Sequence, residues 1–165
     1  MDDEMLICMV EIPMGSRNKY EYDRRLKAIR FDRFVSASVI YPTDYGFIPD
    51  TLALDGDELD VLVCVSEPTF PGCMVPVRPI GVFCMSDEKG KDDKIVCVPL
   101  NDPRWNIYFE AGELPKSLRD EISHFFSVYK DLDLDRHSEP QGWLGRDAAL
   151  ATIAEAHESF RNRGS

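Results

Sequence analysis

The residue types most able to do chemistry are concentrated at residues 55–60, which read Asp-Gly-Asp-Glu-Leu-Asp and stand directly before an apolar run. Carboxylates this close together repel one another unless solvent or cations intervene. Gly56 lies beside two of the aspartates and permits a tight turn that directs their oxygens inward. The segment is therefore either a solvated turn between strands or part of a cation-binding site.

A calcium-binding helix-loop-helix site is the obvious alternative for such an aspartate run. If Asp55 is the first loop position, the sixth is Asp60 and the twelfth is Ser66. That motif requires glycine at the sixth position and glutamate at the twelfth. The spacing therefore excludes it.

A second acidic segment, residues 87–93, ends at Lys94, just before another apolar run. Alone, it has the composition of a hairpin tip. Two acidic loops that both open into strands can nevertheless converge at one mouth of a barrel. Converging aspartate oxygens without Cys or His ligands favour a hard cation, and Mg²⁺ suits a site that shares its coordination with water and phosphate. The acidic residues of this segment are Asp87, Glu88, Asp92 and Asp93.

Charges of both signs occur within or beside predicted strands near the N-terminus. They are Glu11, Lys19, Glu21 and Arg33. Taken singly, a charge on a strand is most simply explained as a solvent-facing side chain. Together with the acidic segments, these residues become candidates for binding metals and anions.

Aromatic residues supply a further set of polar groups. Tyr41 and Tyr45 belong to a predicted aromatic turn at residues 41–47, and Tyr129 precedes Lys130 at the end of a predicted helix. Their phenol hydroxyls could bind a ligand, although core packing is the default role of each ring. Lys130 has an ordinary explanation as well, because a cation near a helix C-terminus interacts favourably with the helix dipole.

Short β-like runs bounded by Pro, Gly and Asp fill the first two thirds of the chain. Their density suggests a small closed or nearly closed barrel. Pro76 and Pro79 indicate a bulge or an edge, because proline cannot donate to a strand ladder. The runs are residues 6–12, 28–34, 60–65, 75–85 and 94–99.

The last third changes to a helical period. One apolar stripe follows Pro115, and a second helix is predicted after Asp147 as its N-cap. Residues 133–142 are expected to form a loop between the two helices. The first stripe is Leu118, Ile122, Phe125, Phe126 and Tyr129. The second is Leu150, Ile153, Ala154, His157 and Phe160.

Length and composition limit the classes of function. The 165 residues predict one domain spanning residues 1–165. A formal charge of −11 argues against nucleic-acid and anionic-membrane partners. Acidic residues 2–4 and the lack of a long apolar run predict a cytoplasmic protein. Five cysteines without a CxxC pair indicate reduced, buried thiols: Cys8, Cys64, Cys73, Cys84 and Cys97.

Taken in order, these elements resemble the family I soluble inorganic pyrophosphatases of bacterial type. The resemblance extends from Glu11 to Trp143 and centres on residues 55–61. It implies a mainly β fold with helices: a small five-stranded barrel related to the OB-fold, flanked by two C-terminal helices. It also implies Mg²⁺-dependent hydrolysis of pyrophosphate to two phosphates by a metal-activated water, and a homo-oligomer, usually a hexamer.

The resemblance also assigns roles to individual positions. It makes Asp55, Asp60, Asp87 and Asp92 direct ligands of several Mg²⁺ ions. Glu11 and Glu21 would support metals directly or through water. Asp57 would be the base near the attacking water, with Asp92 the next candidate. Phosphate oxygens would be held by Lys19, Arg33, Tyr45, Lys94, Tyr129 and Lys130, with Tyr41 beside them.

This chain departs from the family pattern at two positions. Glu58 stands where many members have proline, and Arg136 stands where a lysine often contributes positive charge. Arg136 keeps the charge. The path of the segment around residues 137–140 is left open, because it is unlike the usual pattern.

Two alternative functions are open from the sequence. A non-catalytic OB-like module would bind an oligonucleotide or an acidic partner, but such a module should carry a basic, aromatic groove. The second alternative keeps the enzyme class and changes the substrate to a nucleoside triphosphate or a short polyphosphate. The sequence contains no Walker loop that would favour it.

Overall fold

The computed structural model describes residues 6–163 and is mainly β with two α-helices. The predicted acidic N-terminus at residues 2–4 lies outside this range. No helix among the described residues is both long enough and apolar enough to cross a membrane. The strands are β1 Leu6–Ile12, β2 Asn18–Asp23, β3 Ala28–Phe34, β4 Asp44–Ile48, β5 Leu59–Val63, β6 Met74–Asp87, β7 Gly90–Lys91, β8 Lys94–Pro99 and β9 Ser138–Leu144. The helices are α1 Lys116–Val128 and α2 Arg146–Arg161.

Five strands form a closed ring of hydrogen-bonded neighbours in the order β1, β4, β5, β8 and β6, with β6 returning to β1. Only the β5–β8 pair in this ring is parallel. The ring confirms the predicted barrel-like sheet, but its membership differs from the strands read from sequence. The run at residues 28–34 lies outside the ring, in a separate two-stranded β2–β3 hairpin.

The sequence does not predict strand β4, because residues 41–47 have the composition of an aromatic turn. Gly46 accounts both for the turn-like composition of this segment and for its pairing as a strand. A Cβ at this position would lie 1.9 Å from the carbonyl oxygen of Met9, so β1 and β4 can approach only where the side chain is absent. A residue that usually marks a turn here permits close strand pairing.

Strand β6 spans 14 residues and pairs with β1, β8, β7 and β9. The predicted irregularity is confirmed as a register shift between Pro79 and Gly81 against β8. Strand β9 corrects the expectation of a loop through residues 133–142, since residues from Ser138 onward pair with β6. The proline and glycine of β9 are typical of a loop, and the strand forms by pairing with β6, which is distant in the sequence.

The first helix agrees with its predicted stripe, because Ile122, Phe125 and Phe126 are buried. The second helix begins at Arg146 with Gly145 as N-cap, so Asp147 lies in the first turn and is not the cap. Its buried residues are Ala149, Ile153 and Ala156, whereas Leu150 and Ala154 of the predicted stripe are exposed. Two of these three buried residues are alanines, which lets α2 lie close to β6.

The cysteine prediction holds in part. All five thiols are free, and Cys8, Cys64 and Cys97 are buried. Cys73 and Cys84 are only partly buried, which corrects the expectation for those two.

Candidate active site

The acidic turn, residues 55–60, lies in the second half of the connection between β4 and β5, runs into the first two residues of β5 and is held by backbone hydrogen bonds. The N–H of Ala53 donates to the carbonyl of Asp57 at 2.7 Å, and the N–H of Gly56 donates to the carbonyl of Ala53 at 3.0 Å. Gly56 has a φ of +88°, a conformation that glycine adopts without strain. The N–H of Asp57 also donates to Oδ1 of Asp55 at 3.0 Å. The turn thus holds its aspartates close together.

Asp60 and Lys94 meet at the beginning of the parallel strand pair. Each immediately precedes a residue of the pair Val61 and Ile95, which are in register. The ammonium of Lys94 donates to Oδ2 of Asp60 and to Oδ2 of Asp92, both at 2.8 Å. Parallel pairing therefore brings the two acidic segments onto one cation.

The charges of this group affect one another strongly. Burial alone would lower the pKa of Lys94, which is 2% exposed, but Asp60 and Asp92 raise it above its ordinary value. Burial raises the pKa of Asp92; Lys94 opposes that shift and Asp60 adds to it. A buried ammonium between two carboxylates shows that this position stabilises positive charge.

Asp87 and Lys130 form a second charged contact beside the first. Nζ of Lys130 lies 3.3 Å from Oδ2 of Asp87 and 3.2 Å from Oε2 of Glu88. Burial would raise the pKa of Asp87, but the N–H of Lys89 and the Lys130 ammonium lower it overall. Asp87 is therefore held as a carboxylate at the end of β6.

Glu11 lies at the end of β1 and is almost fully buried. Its Oε2 accepts a hydrogen bond from the N–H of Tyr22 at 2.8 Å. Burial raises the pKa of Glu11 to about 7, against the lowering effect of that hydrogen bond, and Asp60 and Glu21 add to the rise. Buried acids with a pKa near neutrality are frequent at functional sites.

A cleft of about 140 Å³ joins these carboxylates to the β2–β3 hairpin. Its charged and phenolic lining residues include Glu11, Lys19, Glu21, Tyr45, Asp57 and Asp60. Asp55 lines a neighbouring cavity together with Asp60 and Asp92. Asp60 therefore faces both spaces. Four of the predicted metal ligands line one space or the other with it: Glu11, Glu21, Asp55 and Asp92. Asp87 lines neither space and lies beside Lys130 instead.

The hairpin presents two cations opposite each other, since Lys19 and Arg33 are paired across β2 and β3. Each is close to an acidic residue that the sequence did not single out. Nζ of Lys19 lies 3.0 Å from Oδ2 of Asp32, and Nη2 of Arg33 lies 3.6 Å from Oδ2 of Asp133.

The tyrosines form an aromatic wall around Phe125 and Phe126. Tyr41 lies 4.5 Å from Phe125, and Tyr129 stacks on Phe125 at 5.1 Å, both measured between ring centroids. Tyr45 donates its hydroxyl to Oδ2 of Asp60 at 2.8 Å. Burial raises the pKa of all three phenols, so they remain protonated donors.

The donor set fits a hard divalent cation, because all its ligand atoms are carboxylate oxygens and a positive charge is already stabilised between Asp60 and Asp92. Among residues 6–163, no three acidic, His or Cys side chains stand in a ready coordination geometry. Lys94 instead lies between the carboxylates. A metal ion bound between Asp60 and Asp92 would have to share these two carboxylates with Lys94 or displace its ammonium from them.

Comparison with known proteins identifies the relatives of this chain. The family model for inorganic pyrophosphatase matches residues 8–161. The inorganic pyrophosphatase of Methanosarcina acetivorans is 52% identical over 92% of this chain and 90% of its own length. That of Streptomyces coelicolor is 49% identical over 94% and 95%.

Solved structures agree with the sequence relatives. The inorganic pyrophosphatase of Thermus thermophilus superimposes with a TM-score of 0.94 at 40% identity, covering 98% of this chain and 94% of that one. The Helicobacter pylori enzyme gives a TM-score of 0.91 at 32% identity, with 94% and 92% covered. With the acidic turn, the ring of five strands and these relatives in agreement, the chain belongs to the inorganic pyrophosphatase family.

Proposed function

We propose that this chain hydrolyses inorganic pyrophosphate to two phosphate ions and that the reaction depends on several Mg²⁺ ions. The observation that carries the proposal is the convergence of both acidic segments on one buried cation, beside the cations and phenols of the hairpin and α1. Carboxylates would bind metals on one side, and basic residues would bind phosphate on the other.

The acidic site and the anionic substrate are compatible only if cations lie between them. Pyrophosphate is a polyanion, and the chain carries a formal charge of −11. Bound Mg²⁺ would reverse the local charge, polarise phosphoryl oxygens and lower the pKa of an attacking water. The role of the carboxylates is to hold those ions, with Asp55, Asp60, Asp87 and Asp92 as direct ligands.

Glu11 and Glu21 would support the metals from the hairpin side of the cleft, directly or through water. Asp57 faces the same cleft and carries no ion pair with a basic residue among residues 6–163. It is therefore available to accept a proton from water. Asp92 is the next candidate, although it already binds Lys94.

Phosphate would be bound by donors that keep their protons during the reaction. Charge builds on the departing phosphate, and fixed cations and hydroxyls stabilise it without a covalent intermediate. These donors are Lys19, Arg33, Tyr45, Lys94, Tyr129 and Lys130, with Tyr41 beside them.

A phosphate-release assay tests the proposal directly. Purified protein is mixed with pyrophosphate, tripolyphosphate or ATP at equal concentration, each with Mg²⁺ and with a metal chelator. We expect rapid release from pyrophosphate with Mg²⁺ and little from the other substrates. Equal rates on all three would show that the site is not specific for pyrophosphate. The absence of Mg²⁺-dependent release from all three would reject the proposal.

Calcium is expected to inhibit the enzyme. Ca²⁺ is larger than Mg²⁺ and accepts 6–8 ligands at longer distances, so it should spoil the spacing of metals that must act on one water. Rates should fall as Ca²⁺ is added at constant Mg²⁺ and recover when Mg²⁺ is raised. Turnover with Ca²⁺ alone that equals turnover with Mg²⁺ would contradict this metal arrangement.

The affinity for Mg²⁺ is expected to weaken as pH falls below 7. Glu11 has its pKa raised to about 7, so below that value a proton occupies the carboxylate that a metal needs. Calorimetric Mg²⁺ titrations between pH 5.5 and 8 should show this trend, and Glu11→Gln should reduce it. If the pH dependence of Mg²⁺ affinity is unchanged in Glu11→Gln, Glu11 does not contribute to metal binding.

We further propose a cytoplasmic homo-oligomer, most simply a hexamer, as the family resemblance implies. Several large apolar side chains are exposed on the single chain, among them Phe70 and Ile107, each more than 60% exposed. Such side chains are available for contacts between subunits. Light scattering during size-exclusion chromatography measures the mass directly.

A further inference from the structure

The ion pair between Arg33 and Asp133 joins two elements that are far apart in the sequence. Arg33 lies on β3, and Asp133 lies in the segment between α1 and β9. Their nearest charged atoms are 3.6 Å apart, and each side chain is only about one fifth exposed, at 21% and 20%. The proposed reaction gives Asp133 no role.

Asp133 is fixed beside other proposed phosphate donors. Its N–H donates to the carbonyl of Lys130 at 2.9 Å, so the carboxylate is held just after Tyr129 and Lys130. On the other side, Arg33 faces Lys19 across the hairpin and is close enough to Tyr41 to influence the pKa of its phenol. Asp133 therefore lies among the groups that would bind phosphate.

We propose that Asp133 is a positioning residue that competes with phosphate for the guanidinium of Arg33. The inference rests on the proposed function, because it requires Arg33 to bind phosphate. A guanidinium binds carboxylate and phosphate oxygens through the same N–H donors. Asp133 lies next to Nη2 of Arg33, so a phosphate oxygen that binds at this nitrogen must displace it, and the lost ion pair weakens the binding of phosphate. Asp133 returns to Arg33 when the product leaves.

The decisive measurement is the affinity for inorganic phosphate in Asp133→Asn. Binding is measured in the presence of Mg²⁺ by calorimetry and as inhibition of pyrophosphate hydrolysis by phosphate. The variant should bind phosphate about 3–5-fold more tightly, because a partly exposed ion pair of this kind contributes up to roughly fivefold. Damage to the fold would weaken binding, so a gain in affinity cannot come from it.

Asp131→Asn is the matched control, since Asp131 is exposed in the same segment and the substitution removes the same charge. It should leave phosphate affinity within about twofold of the original chain, as expected for an exposed charge that forms no ion pair within residues 6–163. Asp133→Glu should keep most of the competition. Equal tightening in both asparagine variants would overturn the proposal, because the effect would then be general electrostatics.

Arg33→Gln separates the two hypotheses. If Arg33 binds phosphate, Arg33→Gln weakens phosphate binding, and adding Asp133→Asn to it changes nothing further. If Arg33→Gln leaves phosphate affinity unchanged, the role of Arg33 in the proposed function fails. If Arg33→Gln weakens binding while Asp133→Asn also weakens it or has no effect, only the competition is wrong.

Discussion

Replacing Asp60 by asparagine is expected to abolish most Mg²⁺ binding and most activity. Oδ2 of Asp60 accepts hydrogen bonds from the hydroxyl of Tyr45 and from Lys94, both at 2.8 Å. The side chain also lines both cavities of the site. The substitution keeps the shape but removes the negative charge that connects the acidic turn to the second acidic segment.

Loss of a group that only orients a metal ligand costs about 10–100-fold in affinity or activity, so loss of the ligand itself should cost at least about 100-fold. Calorimetric titration should show the weaker Mg²⁺ binding, and phosphate release should show the lower turnover. Raising Mg²⁺ should restore part of the activity. Near-normal turnover at low Mg²⁺ would contradict the assignment of Asp60 as a ligand.

The free energy of unfolding shows whether Asp60→Asn loses activity through metal binding or through a damaged fold. Asp60→Asn leaves buried Lys94 with Asp92 as its remaining anionic partner, so unfolding without Mg²⁺ should cost less free energy than in the original chain. The loss should be smaller than the roughly 3–5 kcal/mol of a fully broken buried pair, because Asp92 remains and asparagine can still accept a hydrogen bond. Asp120→Asn, exposed on α1 and paired with Lys116, is the matched control.

The sequence predicted those parts of the fold that local patterns specify. Strands β1, β5, β6 and β8 alternate or run apolar, and α1 has a clear helical stripe. Two of the missed strands, β4 and β9, depend on partners far along the chain. Gly46 lies in β4 because it pairs closely with Val10 of β1. Strand β9 forms because it pairs with residues 82–87 of β6. Neither fact is visible in a local window.

The candidate site divides in the same way. The acidic turn and the second acidic segment could be found because their residues are adjacent in sequence. The acidic partners of the basic residues could not, since Asp133 is 100 positions away from Arg33 and reaches it only through the end of α1. Asp32 and Glu88 are close to predicted site residues in sequence, but their contacts with Lys19 and Lys130 depend on side-chain direction.

Asp57→Asn is expected to lower turnover far more than it lowers Mg²⁺ affinity. Asp57 lies in the acidic turn between the proposed ligands Asp55 and Asp60, and its side chain lines the cleft with Glu11 and Lys19. The substitution preserves the shape of the side chain and removes its basicity. A positioned general base contributes about 10²–10⁴-fold, so turnover at neutral pH should fall by roughly that factor.

The pH dependence distinguishes a base from a ligand. Partial burial raises the pKa of Asp57, and Asp55 and Asp60 raise it further. A base acts only when deprotonated, so turnover of the original chain should fall as pH drops through that raised pKa. In Asp57→Asn this contribution disappears, and turnover should instead rise with pH as water ionises without help. Part of the loss should therefore be recovered at high pH.

Two other variants distinguish the loss of a base from the loss of a metal ligand and from the loss of a charge. Asp57→Asn should retain most of the Mg²⁺ affinity that Asp60→Asn loses, because its carboxylate is assigned to water and not to a metal. Asp50→Asn, an exposed change after β4 with a φ of 60° that asparagine tolerates, controls for the lost charge and should have near-normal turnover. If Asp57→Asn abolishes Mg²⁺ binding and high pH restores no activity, Asp57 is a ligand. Asp92, a proposed ligand of the same metals whose pKa is raised by burial, then becomes the base to test.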